Sequence, residues 1–412
     1  MRNLRFKSFL FLVLLFSTGT LNIALRKPDA ILERENRKPK PWPELTWKNL
    51  RDGAYTRKWE EAFADRFLLR AESLSFADWI RSMHGLPGSQ VQIIAGDRGD
   101  IFAGPVGQAP GTEAPKLQGQ WVKGILVIGN HAYTTAGYED QAMQYYANGV
   151  NGIAQRLPRD YKVFCMIAPS AIEFLEDERY TKMSYSQTKG TDQMYAKLSP
   201  QVTAIRISAE IAKHKSDYNF HRTDHHWTAR GAYHAYVASA PALGIEPVSW
   251  DTYKKETIPG FLGTLYNATG AAALASDPDT LEVVYPPTEH KMTVYTTAGG
   301  MFEGQAVDKK YIVGANKYMS YIAGDYPLSI ITTQARTGKK ILVLKDSNAN
   351  AFIPFLIPHY DEVHVIDPRY WNGVLPAYIK QHQIKHVLFA HYFPIISVYN
   401  GIAYNIQRIT GP

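Results

Sequence analysis

Ile341-Leu342-Val343-Leu344-Lys345-Asp346-Ser347-Asn348 is the stretch on which the reading of this chain turns. Four branched apolar residues in a row, with no polar residue between them, predict a short strand buried on both faces. The polar residues that follow predict a strand-to-helix turn that Ser347 opens. Working outward, Glu362–Ile366, Lys385–Ala390 and Lys162–Ile167 repeat the same apolar pattern. Ala349–Leu356 and Trp371–Gln381 read as helices between them. Near-continuous apolar strands alternating with helices predict an α/β fold, a parallel sheet with helices on both faces. Ligands of such sheets bind beyond the carboxyl ends of the strands. Asp346, Ser347, Asp367, Arg369 and His391 all fall at those ends.

Upstream, Gly124–Gly129 and Val202–Ile207 read as strands, and Gln141–Leu157, Asp192–Leu198 and Ala209–His214 as helices. Thr228 is placed to cap a helix running through Ala240. Tyr55, Trp59, Phe63 and Phe67 recur every four residues, and with Leu74 and Trp79-Ile80 they predict a long amphipathic helix. Val91–Ala95 and Ile101–Ala103 read as a loop-rich hairpin. Residues 243–325 change character: turn residues multiply, and Leu281–Tyr285, Met292–Thr297 and Tyr311–Val313 look like antiparallel strands. The expected organisation is therefore an α/β domain in two parts, 51–242 and 326–412, with 243–325 as an inserted β-rich subdomain. Gly260–Tyr266 within the insertion reads as a flexible aromatic loop bordering a cleft.

The N-terminus predicts the compartment. Arg2, Arg5 and Lys7 precede an apolar run from Phe9 to Phe16, the order of a signal peptide. Extended to Leu25, the run reaches the short end of a membrane span. Residues 1–25 are thus expected to be a signal or membrane anchor, left uncleaved, and 26–50, with Lys38-Pro39-Lys40-Pro41-Trp42-Pro43, a linker. The expected location is extracytoplasmic, held at the cell membrane, or secreted if the signal is removed. Over the full 412 residues the net charge is +7, with no basic run dense enough to predict nucleic-acid binding. The single cysteine, Cys165, excludes an internal disulfide and a multi-cysteine metal site.

Phe220-His221-Arg222-Thr223-Asp224-His225-His226-Trp227-Thr228 carries the chemistry. If Asp224-His225-His226 is extended, Asp224 and His226 face the same side and His225 points away. An Asp beside a His accepts from one ring nitrogen, fixes the tautomer and leaves the other nitrogen free as a general base. His221, Asp224, His225 and His226 are also competent metal ligands, but their spacing matches no closed zinc motif and consecutive histidines rarely point at one ion, which favours the base over a metal. Ser347, at a strand end, is either a nucleophile beside converging backbone N–H groups or a helix N-cap. Asp346 holds that turn, with a rival role as the orienting acid. Arg369 binds an oxyanion or a substrate carboxylate, or forms a surface ion pair with Asp361 or Glu362.

These residues carry a resemblance. Thr223-Asp224-His225-His226-Trp227-Thr228 followed by Gly231-Ala232-Tyr233 resembles the signature of the bacterial DHHW protein family. Glu33–Arg37, Phe63–Phe67 with Arg70, and the blocks Lys345–Ser347 and Asp367–Tyr370 resemble further parts of it. That family is similar to the SGNH-like proteins of alginate and cell-wall polysaccharide O-acetylation. The resemblance implies an SGNH-hydrolase-like, flavodoxin-like sheet and an extracytoplasmic O-acetyltransferase or acetylesterase. Its implied partners are a polysaccharide substrate and a membrane-bound O-acyltransferase as acetyl donor, with no cofactor. It implies Asp224 as orienter, His226 as base and Ser347 as nucleophile, and suggests Arg369 near the oxyanion; Asn348, Tyr370 and His225 are further candidates on the oxyanion or substrate side. Three features depart from the pattern: Lys-Asp-Ser stands for Gly-Asp-Ser, the Ser follows the Asp–His pair, and the usual SGNH oxyanion Gly and Asn have no clear counterparts. The alternative from another class is a non-catalytic glycan-binding or scaffold subunit of a polysaccharide export complex.

Overall fold

The computed structural model describes residues 40–51, 54–67, 91–94, 124–314, 316–397 and 401–411. The anchor 1–25, the linker up to residue 39, Leu74, Trp79-Ile80 and the run Ile101–Ala103 lie outside the described residues. The chain divides into two compact units, one of residues 1–88 with 270–272, the other of 89–269 with 273–412.

In the first unit two helices follow one another, α1 (Trp47–Arg51) and α2 (Ala54–Asp65). Tyr55, Trp59 and Phe63 lie on α2, but the helix ends at Asp65 and Phe67 falls beyond it, short of the expected long helix; Trp59 stacks on Phe63 at 5.2 Å, and Trp42 approaches Trp59 at 5.7 Å. Arg66 lies 4.9 Å over the Trp42 ring and donates to the Lys40 carbonyl at 2.7 Å.

The second unit is built on an eight-stranded sheet. Its chain opens with β1 (Val91–Ile94), β2 (Ile125–Ile128) and β3 (His131–Thr134), a separate antiparallel sheet. Val91–Ile94 thus pairs with Ile125–Ile128. Then come α3 (Asp140–Gln155), β4 (Lys162–Ala168), α4 (Gln187–Tyr195), β5 (Val202–Ile205), α5 (Ser208–Lys213) and α6 (Ala229–Leu243). The Thr228 hydroxyl caps α6 by accepting from the Gly231 N–H at 3.2 Å.

The β-rich stretch supplies β6 (Lys254–Phe261), α7 (Thr264–Thr269), β7 (Asp279–Tyr285), β8 (His290–Tyr295) and β9 (Met301–Gly304). Next are β10 (Leu328–Thr333), β11 (Lys340–Lys345), β12 (Glu362–Ile366), α8 (Leu375–Gln381), β13 (His386–Tyr392) and α9 (Ile402–Thr410).

The large sheet runs β5-β4-β13-β11-β12-β10-β8-β9. The first five strands are parallel; after its first residue each of β4, β13, β11 and β12 is buried in an unbroken run, as strands covered on both faces must be, while β5, at the edge, is exposed at Thr203. The last three are antiparallel. The sheet is therefore mixed, which corrects the expectation of a wholly parallel one. The parallel part also departs from the flavodoxin-like order, because the last strand of the chain, β13, lies between β4 and β11. The β-rich stretch does not stand apart as a sheet of its own: β8 and β9 extend the main sheet, while β6 and β7 form a two-stranded ribbon. Tyr311–Val313, expected as a strand, is not one: Tyr311 closes the short 3-10 helix Lys309–Tyr311, and Ile312 and Val313 form the turn after it. The helix expected over Ala349–Leu356 is two 3-10 segments, Ser347–Ala351 and Ile353–His359. Pro354 and Pro358 withhold the N–H groups that a regular helix needs.

Candidate active site

The loop of residues 221–226 is not extended. An isolated antiparallel bridge between Phe220 and Trp227 closes it, and His221 N donates to His226 O at 3.3 Å. Within it the Asp224 carboxylate accepts from the His226 backbone N–H at 2.9 Å, the short-range bond of an Asx turn. Because the chain turns, neighbouring side chains share a face. The His225 ring therefore does not point away; its centroid lies 3.8 Å from that of His226. From outside, Ala132 N on β3 donates to the Arg222 carbonyl at 2.8 Å. Asp279, fully buried on β7, accepts from Arg222 N at 3.0 Å and from Thr223 N at 2.8 Å.

Across this turn runs a relay. Asp224 Oδ1 lies 2.5 Å from His226 Nδ1, and His226 Nε2 lies 2.9 Å from Ser347 Oγ. The two segments are 121 residues apart in the chain. Asp224 Oδ2 is held too, accepting from Thr264 N at 2.7 Å and Thr264 Oγ1 at 3.0 Å. Burial pushes the Asp224 carboxyl up, but the His226 charge and hydrogen bond, with lesser help from His225 and His221, hold it well below the usual carboxylate range. It is an anion facing an imidazole. Burial, and then the charge of His226, drive His225 down to about 3, so it is a neutral ring; its Nδ1 lies 2.5 Å from Thr264 Oγ1.

Ser347 sits as the sequence places it, two residues past β11 at the carboxyl edge, and it alone is partly exposed in the buried run from Ile341 to Ala351. Asp346 holds its turn: Oδ1 accepts from Asn348 N at 2.9 Å, and Oδ2 from Tyr392 N, at the end of β13, at 2.7 Å. Burial pushes the Asp346 carboxyl up to about 6, against the pull of those two donors. Between about pH 4 and 6 the folded chain therefore keeps a proton that the unfolded chain releases. The stability this gives is full below pH 4 and falls as pH rises through 6, by about 3 kcal/mol. Denaturant unfolding at pH 4 to 7 is expected to show Asp346→Asn losing that slope relative to the natural chain.

Arg369 does not form the surface pair with Asp361 or Glu362. Its Nε donates to Asp367 Oδ1 at 2.9 Å, and its Nη2 to Asp367 Oδ2 at 2.6 Å and to Asp325 Oδ2 at 3.0 Å. Asp325 also pairs with Lys345, whose side chain is 1% exposed, and accepts from Asn350 Nδ2 at 3.2 Å. The nitrogens expected to meet an oxyanion thus serve a buried ionic cluster beneath the Ser347 turn. Burial pushes Asp325 up, but Lys345 and Arg369 outweigh it and hold the carboxyl well below its ordinary value. Tyr370 lies against Arg369, with the guanidinium carbon 5.3 Å from its ring centre. The Asn348 side chain is buried, and both of its amide atoms lack a partner among the described residues.

Three residues escaped the sequence reading. Thr264 fixes Asp224 and His225, Tyr318 stacks on His226 with centroids 3.9 Å apart and planes 11° apart, and Asp325 anchors the ionic cluster. All lie in the turn-rich stretch, where no period marks a position. Gly260–Tyr266, expected to border a cleft, supports the Asp224 turn: Phe261 is buried, Gly263 N donates to Thr223 Oγ1 at 3.0 Å, and Thr264 N donates to Asp224.

Asp224, His225 and His226 bring three potential metal-ligand atoms within 4.8 Å. Those atoms already meet one another, Thr264 and Ser347. A second group, His214, Asp217 and His234, stacks its two rings at 4.1 Å and 6°, so their in-plane lone pairs run parallel and do not converge on one ion. No helix among the described residues is long and apolar enough to cross a membrane.

The comparisons agree with the signature. The model of the DHHW protein family matches residues 105–366. A crystal structure of a DHHW family protein from Eubacterium siraeum is 30% identical, with a TM-score of 0.63, covering 69% of this chain and 94% of that one. PatB1 of Bacillus cereus, solved with a sulfonyl adduct, is 19% identical with a TM-score of 0.57, covering 66% of this chain and 96% of its own. PatB1 without mention of the adduct is 20% identical with a TM-score of 0.55, covering 66% and 97%. At those identities PatB1 shows a shared fold. No curated protein matches the chain. The family model spans well over half of the sequence and includes both halves of the relay, and the chain belongs to the DHHW protein family.

Proposed function

We propose that this chain is an extracytoplasmic serine O-acetyltransferase or acetylesterase acting on a cell-surface or exported polysaccharide. The observation that carries the reading is the continuous relay from Asp224 through His226 to Ser347, at 2.5 and 2.9 Å. With Nδ1–H donated to the Asp224 carboxylate, Nε2 is bare and aimed at the Ser347 hydroxyl, the tautomer a general base requires.

The steps follow from that geometry. Ser347 Oγ attacks the carbonyl carbon of an acetyl ester while its proton passes to His226 Nε2. Asp224 stabilises the imidazolium. The carbonyl oxygen becomes an oxyanion, for which the unpartnered Asn348 amide is the candidate donor. Collapse breaks the bond to the donor's oxygen, which takes the proton from His226 and leaves the acetyl group on Ser347. An acceptor hydroxyl then gives its proton to His226, attacks the acetyl carbon and departs acetylated, the proton returning to Ser347. A sugar hydroxyl as acceptor makes a transferase; water makes an esterase. None of these steps calls for a metal or an organic cofactor. The N-terminal apolar run supports a membrane-held location, and a membrane-bound O-acyltransferase is the proposed acetyl donor.

The full chain, purified in detergent and treated with a fluorophosphonate, is expected to carry the adduct on the peptide containing Ser347. Hydrolysis of p-nitrophenyl acetate is expected to fall at least about 1,000-fold in Ser347→Ala. Equal turnover in that variant would overturn the reading. Retained glycan affinity with no adduct would leave a binding subunit.

A further inference from the structure

The segment from Lys317 to Asp325 touches both halves of the relay. Tyr318 lays its ring flat on His226 at 3.9 Å, and its hydroxyl donates to the carbonyl of Asn348, one residue past the nucleophile, at 3.2 Å. Asp325, at the other end, pairs with Lys345 and accepts from Asn350 at 3.2 Å. Those two residues flank Ser347, two before and three after. The other Asp325 oxygen takes Arg369 from the end of the neighbouring strand β12, at 3.0 Å. A single short segment thus holds the face of the base and both sides of the nucleophile.

Its backbone is held under strain. Ile322, Ala323 and Gly324 have φ of 47°, 61° and 97°, three left-handed residues in a row. For a β-branched residue this is a real outlier, and such conformations persist only where the surroundings over-determine them. The surroundings here do so. Ile322 and Ala323 are buried, Ile322 N donates to Ala306 O at 2.8 Å, and Tyr321 bridges Val307. The strained turn delivers Asp325 to a buried cluster of two anions and two cations. A buried ionic cluster is weak evidence for stability, since an apolar replacement of similar volume is often as stable, and fixing geometry is the better-supported use.

We infer that residues 317–325 form a clasp that sets Ser347 against His226, with Tyr318 and Asp325 as positioning residues for the acyl-transfer step. The inference rests on the proposed serine chemistry. A positioning group acts on the bond-forming step and leaves encounter with the reagent alone.

Fluorophosphonate inactivation of the full chain, resolved into its maximal rate and its half-saturating concentration, separates the two. In Tyr318→Leu, and in the charge-balanced pair Asp325→Asn with Lys345→Met, the maximal rate is expected to fall about 10- to 100-fold. The half-saturating concentration should stay within about twofold, as uniform binding is untouched. Tyr318→Phe keeps the ring and is expected to recover most of the rate. Folded variants that label at the natural rate, or that lose only affinity, would overturn the clasp. If the paired variant does not fold, the Leu and Phe variants at Tyr318 decide. If the natural chain does not label at all, the serine chemistry fails and the clasp is judged separately, by the downfield proton resonance of the Asp224–His226 bond. That signal is expected to be sharp in the natural chain and broadened in Tyr318→Leu, and an unchanged signal overturns the clasp.

Discussion

Asp224→Asn is expected to lower the catalytic rate about 10,000-fold while leaving the fold in place. The size follows from how completely the carboxylate is used. One oxygen faces His226 Nδ1 and the His226 backbone N–H, the other faces the N–H and hydroxyl of Thr264. An amide has one acceptor and one donor. If its NH2 faces His226, the imidazole must take the opposite tautomer, and Nε2 then carries the proton and accepts nothing from Ser347. If its NH2 faces Thr264, two donors meet at 2.7 Å, and the loop must shift. Either arrangement breaks the relay. Measured with p-nitrophenyl acetate, a loss of less than about tenfold would show that the Asp224–His226 bond does not organise the base.

Gly263→Ala is expected to come next, with activity down about 100-fold and stability down about 1 to 3 kcal/mol. A Cβ at Gly263 would stand 2.2 Å from Asp224 Cβ and 2.3 Å from its Oδ2. Neither atom is the end of a flexible chain. Asp224 is pinned at both oxygens, and the Gly263 backbone is tied to Thr223, which is tied in turn to Asp279. The added methyl must push the carboxylate off His226 or the β6–α7 turn off Thr223. Gly300→Ala is the control, since its Cβ would meet nothing nearer than Thr296 Oγ1 at 3.5 Å. Denaturant unfolding and turnover on the same preparations check both effects.

Four of the parallel strands, β4, β11, β12 and β13, were legible because each is a mainly apolar run long enough to cross a buried sheet and no longer. Glu362–Ile366 matches to the residue, and Lys162, Lys340 and His386 begin theirs within one position of the reading. Their order was not legible. Parallel pairing depends on which edges meet, and β13 carries nothing in its sequence that marks it as a central strand. The residues of the relay were also readable, from an Asp–His spacing and a Ser at a strand end. The path of the loop between them was not, because an Asx turn and an extended segment can share the same residues. For the same reason His225 was placed on the wrong side of the chain. Arg369 shows the opposite limit. Its chemistry fits an anion, and it does hold anions, but they are Asp325 and Asp367 of its own fold.

The position of β13 also bears on the order in which the molecule assembles. It follows all the other strands of this sheet in chain order, yet its backbone closes the gap between β4 and β11. Until it arrives, two strands with apolar middles, Val163–Ala168 and Ile341–Leu344, have open edges, the kind of surface that recruits other chains. Pairings over such long stretches of chain form slowly. A shortened or stalled product lacking residues 386–392 is therefore expected to precipitate rather than to persist as a smaller folded protein.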